Sequence, residues 1–186
     1  MSRPIAVQTA PSFEAFLEFL ETTQERYEFV DGNLFQMPGG TERHNLIAGR
    51  IIAAVFAVAT EHNCRLLFSD VALKTPDETG YFPDVMLICD PSDNQARVKR
   101  KPCLIIEILS PSTEAIDRGE KLRRYCQIPS LQTYILLSQD QPCAEVYSRL
   151  ENQTWQYEIL EQGGLKLYPL PLELQIESLY ANLPSD

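Results

Sequence analysis

The sequence predicts a mixed α/β fold of the α+β kind: one mixed central β-sheet flanked by helices, with β-hairpins added at its edges. Three observations predict it. Helix-periodic and strand-like segments follow one another as helix, three strands, helix, strand between about residues 44 and 138. Two acids, Asp84 and Glu107, stand inside stretches that otherwise read as buried strands, residues 82–89 and 103–109. A turn-punctuated hairpin precedes this core, and a β-rich extension follows it. With 186 residues and 44% hydrophobic content, the chain reads as a single domain spanning 1–186. Its parts are an N-terminal helix and hairpin (12–36), the core (about 44–138) and a C-terminal β extension (144–182).

Each element has a local cause. Ser12 can cap a short helix in which Phe13, Phe16, Leu17 and Leu20 recur at helical spacing. Asp31-Gly32 interrupts alternating apolar residues over 26–35, a hairpin signal, and Pro38-Gly39-Gly40 then breaks the chain. A long helix follows over 44–61, with Ile47, Ile51, Ala54, Val55 and Val58 on one stripe. Strands are expected over 65–74, 82–89 and 103–109, with a basic loop (90–101) between the last two. Ser110 to Thr113 ends the third strand and offers a cap for a helix over 114–127. That helix carries acids early (Glu114, Asp117) and bases late (Lys121, Arg123, Arg124), the order its dipole favours. Gly119 inside it costs about 1 kcal/mol relative to Ala, so that turn is expected to be loose. Residues 134–138, 144–149 and 154–160 read as further strands, and a short helix is expected near 176–181.

Composition narrows the function. A net charge of −10 counts against binding nucleic acid through whole-surface attraction. Two basic clusters could offset it locally, Arg97, Lys99, Arg100 and Lys101, and then Arg118, Lys121, Arg123 and Arg124. Solvated surface charge is the plainer reading of both. The five cysteines show no CxxC spacing, and only His44 and His62 accompany them, which argues against structural zinc. They read as free thiols in a reduced, cytoplasmic protein without a signal core or membrane span. No phosphate-cradling glycine loop, dinucleotide fingerprint or nucleophile elbow is present.

The acid pair carries the chemistry. An ionised carboxylate buried without a partner is expensive, so two on neighbouring core strands call for a compensating cation. Alternation puts Phe82, Asp84, Met86 and Ile88 on one face, and Cys103, Ile105, Glu107 and Leu109 on one face of the next strand. If those faces coincide, Asp84 and Glu107 meet at one metal, with the Ile108 carbonyl as a further ligand. The bland alternative is a pair of buried acids hydrogen-bonded to backbone amides.

Pro83-Asp84, Glu107 and the element order resemble the PD-(D/E)XK nuclease superfamily. Ile105 to Thr113, then Asp117 to Lys121 and Tyr125, are similar to one branch, the Uma-type family of restriction-endonuclease-like bacterial proteins. Glu28, Asp31-Gly32, Met37 and His44 resemble that family's amino-terminal pattern. The resemblance implies a restriction-endonuclease-like core and a metal-dependent endonuclease that hydrolyses DNA phosphodiesters with Mg²⁺ (or Mn²⁺). It also implies a possible homodimer, since folds that cut both strands tend to pair two sites. One departure matters: the superfamily places a lysine two positions after the second acid, where this chain has Leu109. Lys121 is the substitute expected from the following helix; its other reading is an ordinary helix-surface pair with Asp117. His44 joins the catalytic candidates as a phosphate or proton-handling group. Glu28 and Asp31 read as strand and turn residues, and Glu42 as a loop acid within reach of the site. The competing function is a catalytically inactive nuclease-fold module for protein or nucleic-acid interaction; hydrolysis of another phosphate ester is also compatible with the same acids.

Overall fold

A computed structural model describes residues 6–184. After a short strand β1 (Gln8–Thr9), Ser12 Oγ accepts the Ala15 amide at 3.1 Å and starts helix α1 (Phe13–Leu20). Asp31 and Gly32 both take positive φ, which closes the hairpin of β2 (Tyr27–Val30) and β3 (Asn33–Gln36). Thr41 caps helix α2 (Glu42–Glu61) through the His44 amide, so the helix begins two residues before the expected start. Strands β4 (Arg65–Phe68), β5 (Ala72–Lys74), β6 (Gly80–Tyr81), β7 (Val85–Ile88), β8 (Val98–Lys99) and β9 (Leu104–Ile108) follow. The loose turn expected at Gly119 is a π-helical turn, Asp117–Lys121, set between α3 (Glu114–Ile116) and α4 (Leu122–Tyr125). Strands β10 (Thr133–Leu137), β11 (Ala144–Arg149), β12 (Trp155–Leu160), β13 (Gly164–Lys166) and β14 (Glu173–Gln175) precede the last helix, α5 (Ile176–Tyr180).

The central sheet runs β12-β11-β10-β9-β7-β4, with β9 and β10 parallel and the other neighbours antiparallel. Its mixed character agrees with the expected fold class. One face packs on α2 and α5: Ile47, Ile51, Val55 and Ala59 meet Val85, Leu87, Leu104, Ile106 and Ile135. Each such Val, Leu or Ile side chain contributes about 1.5–3 kcal/mol by leaving water. The opposite face, bearing Met86, Ile88, Ile105, Leu109, Tyr134 and Leu136, is covered by Tyr125, Ile128 and Leu131 together with Val30, Leu73 and Tyr81.

The N-terminal hairpin does not extend this sheet. It belongs to a second six-stranded sheet, ordered β1-β3-β2-β6-β5-β8, whose core includes Phe13, Phe16, Phe29 and Phe82. The cause lies at Ser69, whose positive φ of 59° turns the chain and splits the single strand expected over 65–74. β4 stays in the central sheet, and β5 crosses to the other. Gly80 lets α1 lie close on that second sheet, since a Cβ there would come within 2.8 Å of the Phe16 ring.

Three further expectations are corrected. Cys64 and Cys89 form a disulfide, leaving Cys103, Cys126 and Cys143 as free thiols among the described residues. Arg65 pairs with Ile88 on β4 and β7, so the two cysteines stand opposite each other one step further along the ladder. By length and composition α2 could cross a bilayer, contrary to the reading that no stretch approaches a span; here its apolar stripe is sealed against the sheet. The basic clusters are solvated only in part: Arg97, Arg100, Lys101, Arg118 and Arg123 are exposed, whereas Lys99, Lys121 and Arg124 are buried. Lys99 is buried against the carbonyls of Asp93 and Gln95, Arg97 pairs with Glu21, and Lys101 with Asp90. Arg118 pairs with Glu114 and Glu145, and Arg124 is buried among Asp31, Asp77 and Glu120.

Candidate active site

Antiparallel pairing of β7 with β9 sets Val85 opposite Ile106, so Asp84, just ahead of β7, comes level with Glu107. The two acids hold each other through the backbone. The Asp84 amide donates to Glu107 Oε2 at 3.1 Å, and the Ile108 amide donates to Asp84 Oδ2 at 2.8 Å. The faces therefore coincide as alternation required, and each acid also has the backbone hydrogen bond of the bland alternative. Ile108 contributes its amide here, and its residue lines the adjoining cavity.

Lys121 reaches this pair from the π-helical turn. Its Nζ lies 3.1 Å from Glu107 Oε1, 3.0 Å from Asp117 Oδ1 and 3.2 Å from Glu28 Oε1, and the residue is only 5% exposed. It also stands over the Tyr81 ring at 5.7 Å. The alternative of an exposed helix pair with Asp117 fails on burial: the pair exists, but inside the protein. Burial acts to lower the lysine pKa, yet Asp117, Glu107 and Glu28 outweigh it and raise it well above its ordinary value. The ammonium stays charged. Tyr125 completes this corner by donating its hydroxyl to Glu107 Oε1 at 3.0 Å.

Glu107 bears the opposite pressure. Burial pushes its carboxyl up to about 8, against the pull of Lys121 and with reinforcement from the negative charges of Asp84 and Asp117. Three carboxyl groups, those of Glu28, Glu107 and Asp117, thus surround one lysine, and Asp84 adds a fourth acid beside Glu107. Proton uptake by Glu107 relieves part of that excess.

His44, in the first turn of α2, points its Nε2 at Asp84 Oδ2, 3.1 Å away. Burial acts against its charge, but the hydrogen bond and charge of Asp84 prevail and raise its pKa. Its buried Nδ1 has no hydrogen-bond partner among the described residues. Asp84 is about one-quarter exposed, and its Oδ1 accepts from none of the described residues. Asp84, Glu107, Lys121, His44, Glu28 and Asp117 all line one concave cavity of about 760 Å³.

The structure thus brings Asp84, Glu107, Lys121 and His44 together. Glu42, expected within reach of the site, is exposed at the start of α2 and lies away from the cavity wall. Glu28 was read as a plain strand residue, yet it is buried against Lys121; Asp31 is a turn residue, paired with Arg124. Glu28 faces inward from β2 because the second sheet folds over the first, a tertiary fact that strand periodicity does not carry and to which only the family's amino-terminal pattern pointed. Asp117 and Tyr125 had a signal: they stand four residues on either side of Lys121, on one helical face.

Could this corner hold a divalent cation? Among the described residues no cluster of three or more His, Cys, Asp or Glu side chains has metal-holding geometry. That speaks against a site saturated by side chains, as zinc takes. Mg²⁺ asks for fewer side chains, since it is held by one or two carboxylates and keeps several waters. Asp84, with its open Oδ1, and Glu107 stand adjacent on one cavity wall and fit such an ion once the Glu107 carboxyl is ionised.

Comparison with known proteins agrees with the architecture. The Uma2 family model, described as "Putative restriction endonuclease", matches residues 13–181. Two uncharacterized proteins of Synechocystis sp. are similar. One, slr1290, is 31% identical over 175 residues, 91% of each chain; the other, sll1609, is 28% identical over 144 residues, 75% of this chain and 81% of the relative. A crystal structure of "a putative nuclease belonging to DUF820" from Anabaena variabilis superposes with a TM-score of 0.73 at 19% identity, covering 96% of this chain and 98% of the other. That likeness shows a shared fold. The extent of the family match, together with the 31% identical relative, shows that the chain belongs to the Uma2 family of restriction-endonuclease-like proteins.

Proposed function

We propose that this chain is a metal-dependent endonuclease that hydrolyses DNA phosphodiester bonds, with Mg²⁺ (or Mn²⁺) held by Asp84 and Glu107. The observation that carries the reading is the approach of a helix-borne ammonium to the acid pair: Lys121 Nζ at 3.1 Å from Glu107 Oε1, in place of the strand lysine that Leu109 displaces. Bound between the acids, the cation would polarise a phosphoryl oxygen and lower the pKa of an attacking water.

The chain's own groups have distinct tasks. Asp84 offers its open Oδ1, and Ile108 fixes the other oxygen through its amide. Lys121 keeps a permanent positive charge beside the reacting phosphate, where charge builds up in the transition state. His44, held by Asp84, is placed to take or return a proton at Nε2. Arg26 is an exposed guanidinium on the cavity wall, suited to a flanking phosphate. With a net charge of −10 and its basic clusters mostly paired, the protein would approach DNA weakly until the cation offsets the acids.

The competing reading, a nuclease fold kept for interaction alone, is favoured by the caging of Lys121. An ammonium has three donors, and three carboxylates already surround this one. Incubating purified protein with plasmid or branched DNA and Mg²⁺ or Mn²⁺ separates the two. Cleavage that disappears in Asp84→Ala supports the hydrolytic reading; cleavage that persists in that variant removes the acid pair from the mechanism, and no cleavage under any metal favours the interaction module.

A further inference from the structure

Strand β12 ends the central sheet, and its outer edge is unpaired among the described residues. On the inner side the hydrogen bonding can be read from its hairpin. The Leu150 amide donates to the Thr154 carbonyl at 2.8 Å, and Arg149 pairs with Trp155. In an antiparallel ladder the residues of one parity bond inward and those of the other bond outward. Thr154, Gln156, Glu158 and Leu160 therefore bond toward β11, while the N–H and C=O groups of Trp155, Tyr157 and Ile159 point away from the sheet. Two of the three carry exposed apolar surface, Tyr157 at 49% and Ile159 at 54%, and Trp155 is half-buried. An open edge of this kind is a template for another strand.

The strand is complementary to a reversed copy of itself. Turned about Tyr157, Trp155 meets Ile159, Gln156 meets Glu158, and Tyr157 meets Tyr157. That register sets an aromatic against an aliphatic residue and an amide against a carboxylate. Moving the axis one residue toward the C-terminus would place Glu158 against Glu158, a like-charge pair, and moving it one residue the other way would leave Tyr157 against Trp155 and Gln156 against Gln156. A row of tyrosines already leads to this edge, Tyr125, Tyr134, Tyr147 and Tyr157, with successive ring centroids 5.2, 6.1 and 4.8 Å apart. Pairing about Tyr157 would continue the row into the second subunit. The geometry points to a homodimer in which β12 pairs antiparallel with β12 of a second copy about a two-fold axis at Tyr157, joining the two central sheets.

The contact is a single strand edge, at the small end of specific interfaces, so the assembly is concentration-dependent. Sedimentation velocity on the full chain over a dilution series should show a mass twice that of the monomer that falls to the monomer on dilution. Tyr157→Lys and Tyr157→Glu should each be monomeric throughout, because each sets like charges across the axis. Mixed in equal amounts, they should recover the dimer, since residue 157 then faces its opposite charge. Tyr157→Pro should also be monomeric while staying folded by circular dichroism, because its lost amide makes no bond inside the subunit. A wild-type chain that stays monomeric at all concentrations overturns the proposal. So does a dimer that survives Tyr157→Lys, or a pair of charged variants that fails to recover it when both are folded by circular dichroism.

Discussion

Lys121→Met should lower stability at neutral pH by about 3–5 kcal/mol, the cost of leaving buried charge without its partner. Methionine keeps most of the side-chain volume, so cavity effects stay small and the loss is electrostatic. The lysine is nearly sealed from solvent and lies 3.0–3.2 Å from Asp117, Glu107 and Glu28. An exposed pair at the same helical spacing would be worth only about 0.3–0.5 kcal/mol, so the two cases differ by roughly tenfold. The loss must also depend on pH. Glu107 already holds its proton up to about 8 in the folded protein, whereas an unfolded glutamate releases it near 4.3 (roughly). Without Lys121 the folded-state value rises further. Both folded proteins then lose stability as pH rises toward about 8, and only the variant goes on losing it above that, so the difference between them grows on the alkaline side. Urea unfolding of wild type and variant at acidic, neutral and mildly alkaline pH measures both effects. A loss under about 1 kcal/mol, or one that does not grow above about pH 8, would refute the buried three-carboxyl cage.

Three more outcomes follow from the same coordinates. His44 should titrate above an ordinary histidine because Asp84 stabilises its charged form, and Asp84→Asn should bring it back down; proton NMR of the ring resonances reads this directly. Tyr125→Phe should cost about 1 kcal/mol or somewhat more by leaving Glu107 Oε1 without a hydroxyl donor, seen as a lower urea midpoint with unchanged slope. Thiol counting in denaturant without reductant should find three free cysteines, and reduction of Cys64–Cys89, which closes a loop of 25 residues, should cost up to about 3 kcal/mol.

The site was legible in the sequence wherever local periodicity fixes direction. Asp84 and Glu107 could be matched because strand alternation assigns each to a face, and Lys121 because the helix after the third strand must lie on that face. The residues that complete the cage obey longer-range facts. Glu28 depends on how the second sheet docks, which turns on the backbone of Ser69, a residue whose sequence neighbours give no glycine or proline warning. The π-helical turn was foreshadowed by Gly119, but its consequence, burying both Asp117 and Lys121, belongs to packing. The disulfide was hidden because it depends on the β4–β7 register, and a cysteine inside a strand-like run looks apolar until its opposite number is known.

Calorimetric titration with Mn²⁺ in two buffers of different ionisation heat probes the acid pair itself. Binding should release a proton from Glu107, so the observed heat should differ between buffers; Glu107→Gln should abolish that difference, and Asp84→Asn should weaken the binding. No binding at millimolar Mn²⁺, or binding unaltered by either substitution, would mean that these two carboxylates serve the fold and not a metal.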